Sequence, residues 1–479
     1  MPQPKLYIFA IGGTGARTIK ALTMLLASGI KINASEIIPI LIDPHVNNED
    51  QKRTQKLIDD YRAVQARLDT QNGFFATPIR TLKEVSGDAA MKDKTFMFNL
   101  EDVATKHFRD YIDFDSLDES NEALAQLLFS EDNLNTKMDI GFVGNPNIGS
   151  VVLNQIEESA EFKTFASTFQ ENDRVFIISS IFGGTGAAGF PLILKNIRNS
   201  TNDWLKNAKI GAVSVQPYFG VGEGDGKIDK ATFISKTKAA LNYYEKNLNL
   251  SLDAMYAIGD TLTKDYENDP GAGGQKNDAH FIEMVAALSI RDFMQFEDTD
   301  LTSSCFREFG IRSDANKLHF QDLGALTQNI LKKHLTQYYY FVQYINTHLE
   351  ADIRATAPYT TNTQIFDTAF LGTPFFNNKL KDINMAFLAW LREMDSNARA
   401  FAPFNLSTNE FAAMITGIET KTGFFGKKTV TPAEYKGALN DAVKKLSKGD
   451  LSSKERKLIT LFAAATDALL KDKFDYFHH

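Results

Sequence analysis

The chain has 479 residues, of which 43% are apolar and 23% charged, with a formal net charge of −8. It is too long for a single growing core, so at least two packed units are expected, and no apolar run approaches the roughly eighteen residues that a membrane span needs. The acidic balance argues against direct nucleic-acid binding by the body, and Cys305, the single cysteine, excludes an internal disulfide and a cysteine-based zinc site.

From the amino terminus, short β-branched runs alternate with amphipathic stretches, the pattern of βαβ units that wind a parallel sheet. Strands are predicted over residues 6–11, 37–42, 139–143, 175–179, 210–215 and 255–258. The first runs directly into Gly12, Gly13, Thr14 and Gly15, after which Ile19, Leu22 and Leu26 mark a helix. The fourth runs into Gly183, Gly184, Thr185 and Gly186, followed by a helix through Phe190, Ile193, Leu194 and Ile197. Residues 101–135 carry ten carboxylates against Lys106 and Arg109 and read as exposed helix and loop. Residues 261–276 form a turn-rich insertion. A long helix is then expected from Asn277 to Phe296, with Phe281, Met284, Val285 and Leu288 on its apolar stripe.

Beyond about residue 330 the pattern becomes mainly helical, with Phe387 and Trp390 on an apolar face. Thr431, Pro432 and Glu434 form a capping-box helix start, and Ser452, Ser453 and Glu455 repeat the signal before the last helix. Residues 421–479 hold twelve Lys or Arg against seven Asp or Glu. This basic tail reads as a solvated helix face or as a contact for an unknown adaptor. The first residues lack the order of a signal peptide, and a reducing cytoplasm suits a chain with one cysteine.

Gly183 to Gly186 carry the sharpest chemical signal. Glycines after an apolar strand let the backbone approach an anion, and the helix that follows presents its positive end. Thr185 adds a hydroxyl, and Ala187, Ala188 and Gly189 leave the helix start unobstructed. Without a ligand, the same residues would be a tight strand-to-helix turn. The earlier loop at Gly12, Gly13, Thr14 and Gly15, with Asp43 ending the next strand, invites a dinucleotide-binding reading, but Thr18 stands where the third glycine belongs and would hold the helix off the strand. A P-loop fits less well still, since no glycine stretch ends in Gly-Lys-Ser or Gly-Lys-Thr and Gly226 and Lys227 are followed by Ile228.

With two such loops in one sheet, the chain resembles the tubulin and FtsZ superfamily, in a divergent prokaryotic form, whose signature is a Gly-Gly-Thr-Gly loop. The resemblance implies a Rossmann-like parallel-sheet GTPase domain over residues 1–260. A segment at 261–330 would hold the insertion, the central helix and an acidic loop, and a mainly helical region would fill 331–479. It implies GTP or GDP on the phosphate loop Gly183, Gly184, Thr185, Gly186 and Ala187, with Gly12, Gly13, Thr14 and Gly15 beneath the diphosphate. Asp43 and Asn47 match the polar loop after the second strand. Gly144 and Asn145 match the loop near the terminal phosphate and its Mg²⁺. Pro217, Glu223 and Lys227 match the segment that reaches the ribose and phosphates, with Lys227 replacing the family's arginine fork. Asn242 and Asn277 are the candidate base readers, although an Asn at a helix start is equally a cap.

Hydrolysis in the family uses a carboxylate delivered by a neighbouring subunit. Here its match is Asp322, in a segment where His319 replaces the first acid. The resemblance therefore implies nucleotide-dependent self-assembly into a homo-oligomer or filament, with slow or contact-dependent hydrolysis. The alternative is a non-hydrolysing nucleotide-binding scaffold or switch.

Overall fold

The computed structural model describes residues 3–43, 49–68, 73–89, 97–98, 103, 105–138, 142, 145–218, 220–221, 230–248, 251–260, 265–266, 277–311, 315–423 and 426–474. Six strands make the central sheet: β1 (Lys5–Ile11), β2 (Glu36–Ile42), β3 (Arg174–Ser180), β4 (Lys209–Val215), β5 (Ala254–Ile258) and β6 (Cys305–Phe309). Their spatial order is β2-β1-β3-β4-β5-β6, and every pair is parallel. The chain therefore winds one way from β1 to β2 and the other way from β3 onward. Between β1 and β3 lies the switch point at which open parallel sheets bind ligands.

Strands β1 to β5 are near-continuous apolar runs because helices cover both faces. The period of two shows in the two cores that they feed. Leu6, Ile8, Ala10, Phe176 and Ile178 enter one cluster, and Tyr7, Phe9, Ile11, Val175 and Ile177 enter the other. On the first face lie α1 (Gly12–Ala27), α2 (Glu49–Gln65) and α6 (Phe281–Phe293). On the second lie α3 (Pro146–Leu153), α4 (Gly184–Arg198) and Tyr244 of α5 (Lys230–Asn247).

The carboxyl-terminal region is mainly helical as expected, built on α7 (Ala325–Thr347), α8 (Lys381–Asp395), α9 (Pro432–Ala442) and α10 (Lys454–Lys473). Its core is continuous with the first face of the sheet. Tyr338 of α7 packs against Phe74 at 5.2 Å between ring centroids and against Phe387 of α8 at 4.8 Å. Phe387 and Trp390 are fully buried, and Thr431 and Glu434 form the expected capping box.

Three expectations need correction or addition. The central helix begins at Phe281, not Asn277, because His280 and Glu283 form its capping box and residues 277–280 precede it without regular secondary structure. Thr18 does not hold α1 off the sheet. Its hydroxyl turns back to donate to the Thr14 carbonyl at 2.9 Å, and Gly15, one turn earlier, provides the close approach. Strand β6 had no prediction: its outer position leaves Phe306, Arg307 and Glu308 exposed, so no apolar run announces it. Of the strand expected over 139–143, only Phe142 is described, as a turn residue. Within the insertion, Asp265–Tyr266 pairs in parallel with Gly220–Val221.

Candidate functional site

Both glycine loops leave the carboxyl ends of adjacent strands and become helix starts at once. Ile11 caps α1 and Gly183 caps α4 through backbone alone, with no side chain on the first-turn N–H groups. Gly12 adopts φ +70°, a conformation that side chains rarely tolerate. A Cβ on Gly12 would lie 3.7 Å from the Thr185 Cβ and 3.8 Å from the Gly186 nitrogen. The two loops therefore face each other across the switch point, and two helix N-termini converge there.

Close packing holds this geometry. A Cβ on Gly15 would come within 2.5 Å of the Ala10 carbonyl carbon, and one on Gly186 within 2.7 Å of the Ser180 oxygen. Each of these glycines lets its helix lie against the strand that it has just left. Gly149 of α3 sits equally tightly, where a Cβ would meet the Ala188 Cβ at 2.8 Å and the Gly184 oxygen at 3.1 Å. The helix that starts just after Asn145 is thereby brought against the second loop. Ala187 accepts a hydrogen bond from the Tyr244 hydroxyl at 3.5 Å, which ties α5 to the same place.

The remaining candidates divide. Asp43 directly follows β2 and is buried, and Pro217 is half-buried just beyond β4. Asn277 is buried in the segment that leads to α6. Asn242 is on the exposed side of α5, two residues before buried Tyr244. Asn47, Gly144, Glu223 and Lys227 lie outside the described residues. Asp322 closes a short 3-10 turn, where its carboxylate accepts the His319 N–H at 2.7 Å. Just before this turn, Lys317–Leu318 pairs with Ala400–Phe401 of the carboxyl-terminal region.

Beneath the first loop lies a buried polar network that sequence reading missed. Arg17, one turn after Thr14, donates to Glu283 at 2.6 Å, Asp50 at 2.7 Å, the Tyr218 hydroxyl at 3.0 Å and the Thr14 hydroxyl at 3.2 Å. The Tyr218 hydroxyl donates in turn to Glu283 at 2.7 Å. Burial alone would lower the arginine pKa, but Tyr218, Glu283 and Asp50 push it well above its ordinary value. Glu283 is raised by its own burial against the pull of Arg17 and Tyr218. The available signal was a pair of cations, Arg17 and Lys20, inside a largely apolar helix, which must find charge partners when buried.

One turn further along α1, Lys20 pairs with Glu393 of α8 at 2.8 Å. Glu393 also pairs with Arg53 of α2 and accepts the Ala279 N–H at 3.0 Å. His280 follows, with its ring 5.0 Å from that of Tyr218, which lies 6.3 Å from Phe182 beside the second loop. A continuous chain of contacts thus joins both glycine loops to the start of the central helix and to α8.

Among the described residues, no group of three or more His, Cys, Asp or Glu is placed to hold a metal, and no helix is long and apolar enough to cross a membrane. No protein-family model matches the chain, and no curated protein matches it in sequence. Among solved structures, CetZ from Methanosaeta thermophila strain DSM 6194 aligns at 12% identity, over 62% of this chain and 58% of that one, with a TM-score of 0.32. The alignment thus spans less than two thirds of that protein and is too weak to bear on function. The geometry itself establishes an α/β chain whose six-stranded parallel sheet brings two glycine-built helix starts together at its switch point.

Proposed function

We propose that the chain is a GTP-binding protein of the tubulin and FtsZ type that assembles with itself in a nucleotide-dependent manner. The observation that carries this reading is the approach of Gly12 to Thr185 and Gly186, which makes one cradle from two helix starts. A single N-terminus suits one phosphate, while two converging on the switch point suit a di- or triphosphate. The residues fit such a group, because neither helix start is occupied by a capping side chain. Mg²⁺ would sit among the phosphate oxygens, as it does when it retains water and takes few protein ligands.

Hydrolysis would require Asp322 of one subunit to orient water in the site of the next, where positioning and charge supply most of the catalysis. A second reading, a nucleotide-binding switch without turnover, is favoured by the Asp322 carboxylate, which is already engaged with the His319 N–H. Phosphate release per subunit, measured against protein concentration, separates the two. Subunit-contact hydrolysis predicts a steep rise that Asp322→Ala abolishes. A flat, negligible rate together with tight GTP binding supports the switch.

A further inference from the structure

Residues 106–138 form a small lobe on the second face of the sheet. Its base is closed where the Phe108 N–H donates to the Thr136 carbonyl at 2.9 Å and the Met138 N–H to the Lys106 carbonyl at 3.1 Å. Phe108, Phe114, Phe129 and Leu134 anchor it in the core of that face. The lobe carries a helix over Glu119–Leu128, started by the Asp118 carboxylate, which accepts the Ser120 and Asn121 N–H groups at 3.0 and 2.9 Å. Within this helix only Ala125 is buried. Its leucines turn outward: Leu124 is 51% exposed, Leu127 83% and Leu128 56%. Spaced by three and four residues, they make one stripe. A lone exposed leucine needs no explanation, whereas an apolar stripe held out to water on an ordered helix marks a contact surface. Exposed Asp115, Asp118, Glu119, Glu131 and Asp132 flank it in sequence, in a lobe with eight Asp or Glu against Lys106, Arg109 and Lys137.

A complementary surface lies in the carboxyl-terminal region, which shares the core of the first face. Residues 443–457 hold six Lys or Arg against Asp450 and Glu455, with Lys444, Lys445 and Lys448 exposed and Leu446 and Leu451 half-buried. The loop at 362–366 is bound to this segment. Lys457 donates to the Asn362 and Gln364 carbonyls at 3.1 and 3.2 Å, and Gln364 donates to the Ser452 carbonyl at 3.4 Å. That loop presents Ile365, which is 54% exposed. An apolar patch with basic neighbours thus complements an apolar stripe with acidic ones.

We propose that the leucine stripe of one chain docks on Ile365 and the 443–457 segment of a second copy. This rests on the self-assembly proposed above and names the surfaces that carry it. Burial of the leucines and Ile365 supplies the attraction, and the opposite charges steer the encounter and set its register. Pairing the stripe with itself across a two-fold axis would instead bring the Glu119 and Glu122 carboxylates of both copies together, which is unfavourable. The two patches belong to opposite faces of the sheet, so each copy offers one patch to the copy before it and the other to the copy after it. Such a heterologous contact builds a ring or an open filament rather than a closed pair.

Sedimentation of the full-length chain, with GTP and without nucleotide, tests the assignment, and thermal melting checks that each variant folds. Leu127→Gln keeps a good helix former at an exposed position, and association about tenfold weaker than wild type is expected. Reversing the acidic side in Glu119→Lys/Glu122→Lys, or the basic side in Lys445→Glu/Lys448→Glu, should weaken it by a similar factor. Combining the two reversals should restore most of the loss, and added salt should weaken the wild type. If folded Leu127→Gln associates as the wild type does, or if the combined reversal restores nothing, the surface assignment is overturned while the assembly reading stands. If the wild type stays monomeric with and without GTP, the assembly reading fails and the assignment fails with it. Association that needs no GTP but responds to all of these changes supports the surfaces and overturns only the nucleotide dependence.

Discussion

Gly15 and Gly186 show most directly how single atoms set the site. Each takes its helix so close to the preceding strand that a methyl group would strike backbone, which cannot move aside as a side chain can. Gly15→Ala or Gly186→Ala should therefore cost about 1–3 kcal/mol in urea unfolding and push the helix start out of the cradle. Arg17 makes a sharper case. Arg17→Met leaves Glu283 buried without its cation and Asp50 with the longer contact to Arg53 at 3.9 Å, with an expected cost of about 3–5 kcal/mol. Combining it with Glu283→Gln should cost less than the sum of the two single changes, because the groups share one network. His280 adds a pH signature. The unfolded ring takes up a proton below its ordinary pKa of 6.5, while the folded ring resists until about 3. Its contribution to stability is therefore complete above pH 6.5 and is lost as the pH falls toward 3. Between pH 6.5 and 5 this amounts to about 2 kcal/mol. His280→Asn should reduce the fall in urea midpoint over that interval, and an unchanged fall would show that the ring titrates normally.

Among the elements, α1 presents Thr14, Arg17 and Lys20 at successive turns and so touches the glycine loop, the central helix and α8 along one edge. Glu393 closes the far end of that edge. Lys20 and Arg53 lower its pKa, although burial acts to raise it. Glu393→Ala removes the partner of two cations and of the Ala279 N–H, so a loss of about 2 kcal/mol or more is expected. Limited proteolysis should then release fragments from the region after residue 330 sooner than in the wild type. Equal cleavage rates would mean that the shared apolar core alone seats that region. Strands β1 to β5 and the glycine loops were legible from sequence because continuous apolar runs and glycine placement are local signals. Strand β6 was not, since Cys305–Phe309 is exposed along its middle and carries no apolar run, unlike the other outer strand, β2, which is covered and apolar. The start of α6 was misplaced because Asn277 is as good a cap by type as His280, and only the reciprocal contact with Glu283 decides between them.

At the scale of the whole molecule, the order of motifs along the chain was readable, but the partners that distant residues find were not. Arg17 meets Glu283 across more than 260 residues of sequence and Lys20 meets Glu393 across still more. No local pattern encodes such pairings, which follow only once the sheet has placed α1 beside α6. The same limit applies to Asp322: the role proposed for it requires a second copy, and its position within one chain is a capped turn. If assembly follows nucleotide, sedimentation should show pelleting with GTP and not with GDP, and Asp322→Ala should still pellet while its turnover falls. The central claim is that the two facing glycine loops form one nucleotide cradle. Calorimetric titration of the wild type and Gly186→Ala with GTP, ATP and NAD tests it most directly. One GTP per chain is expected, with weaker ATP and NAD, and loss of GTP binding in the folded variant. Binding of NAD in preference to GTP, or GTP binding that survives Gly186→Ala unchanged, would contradict it.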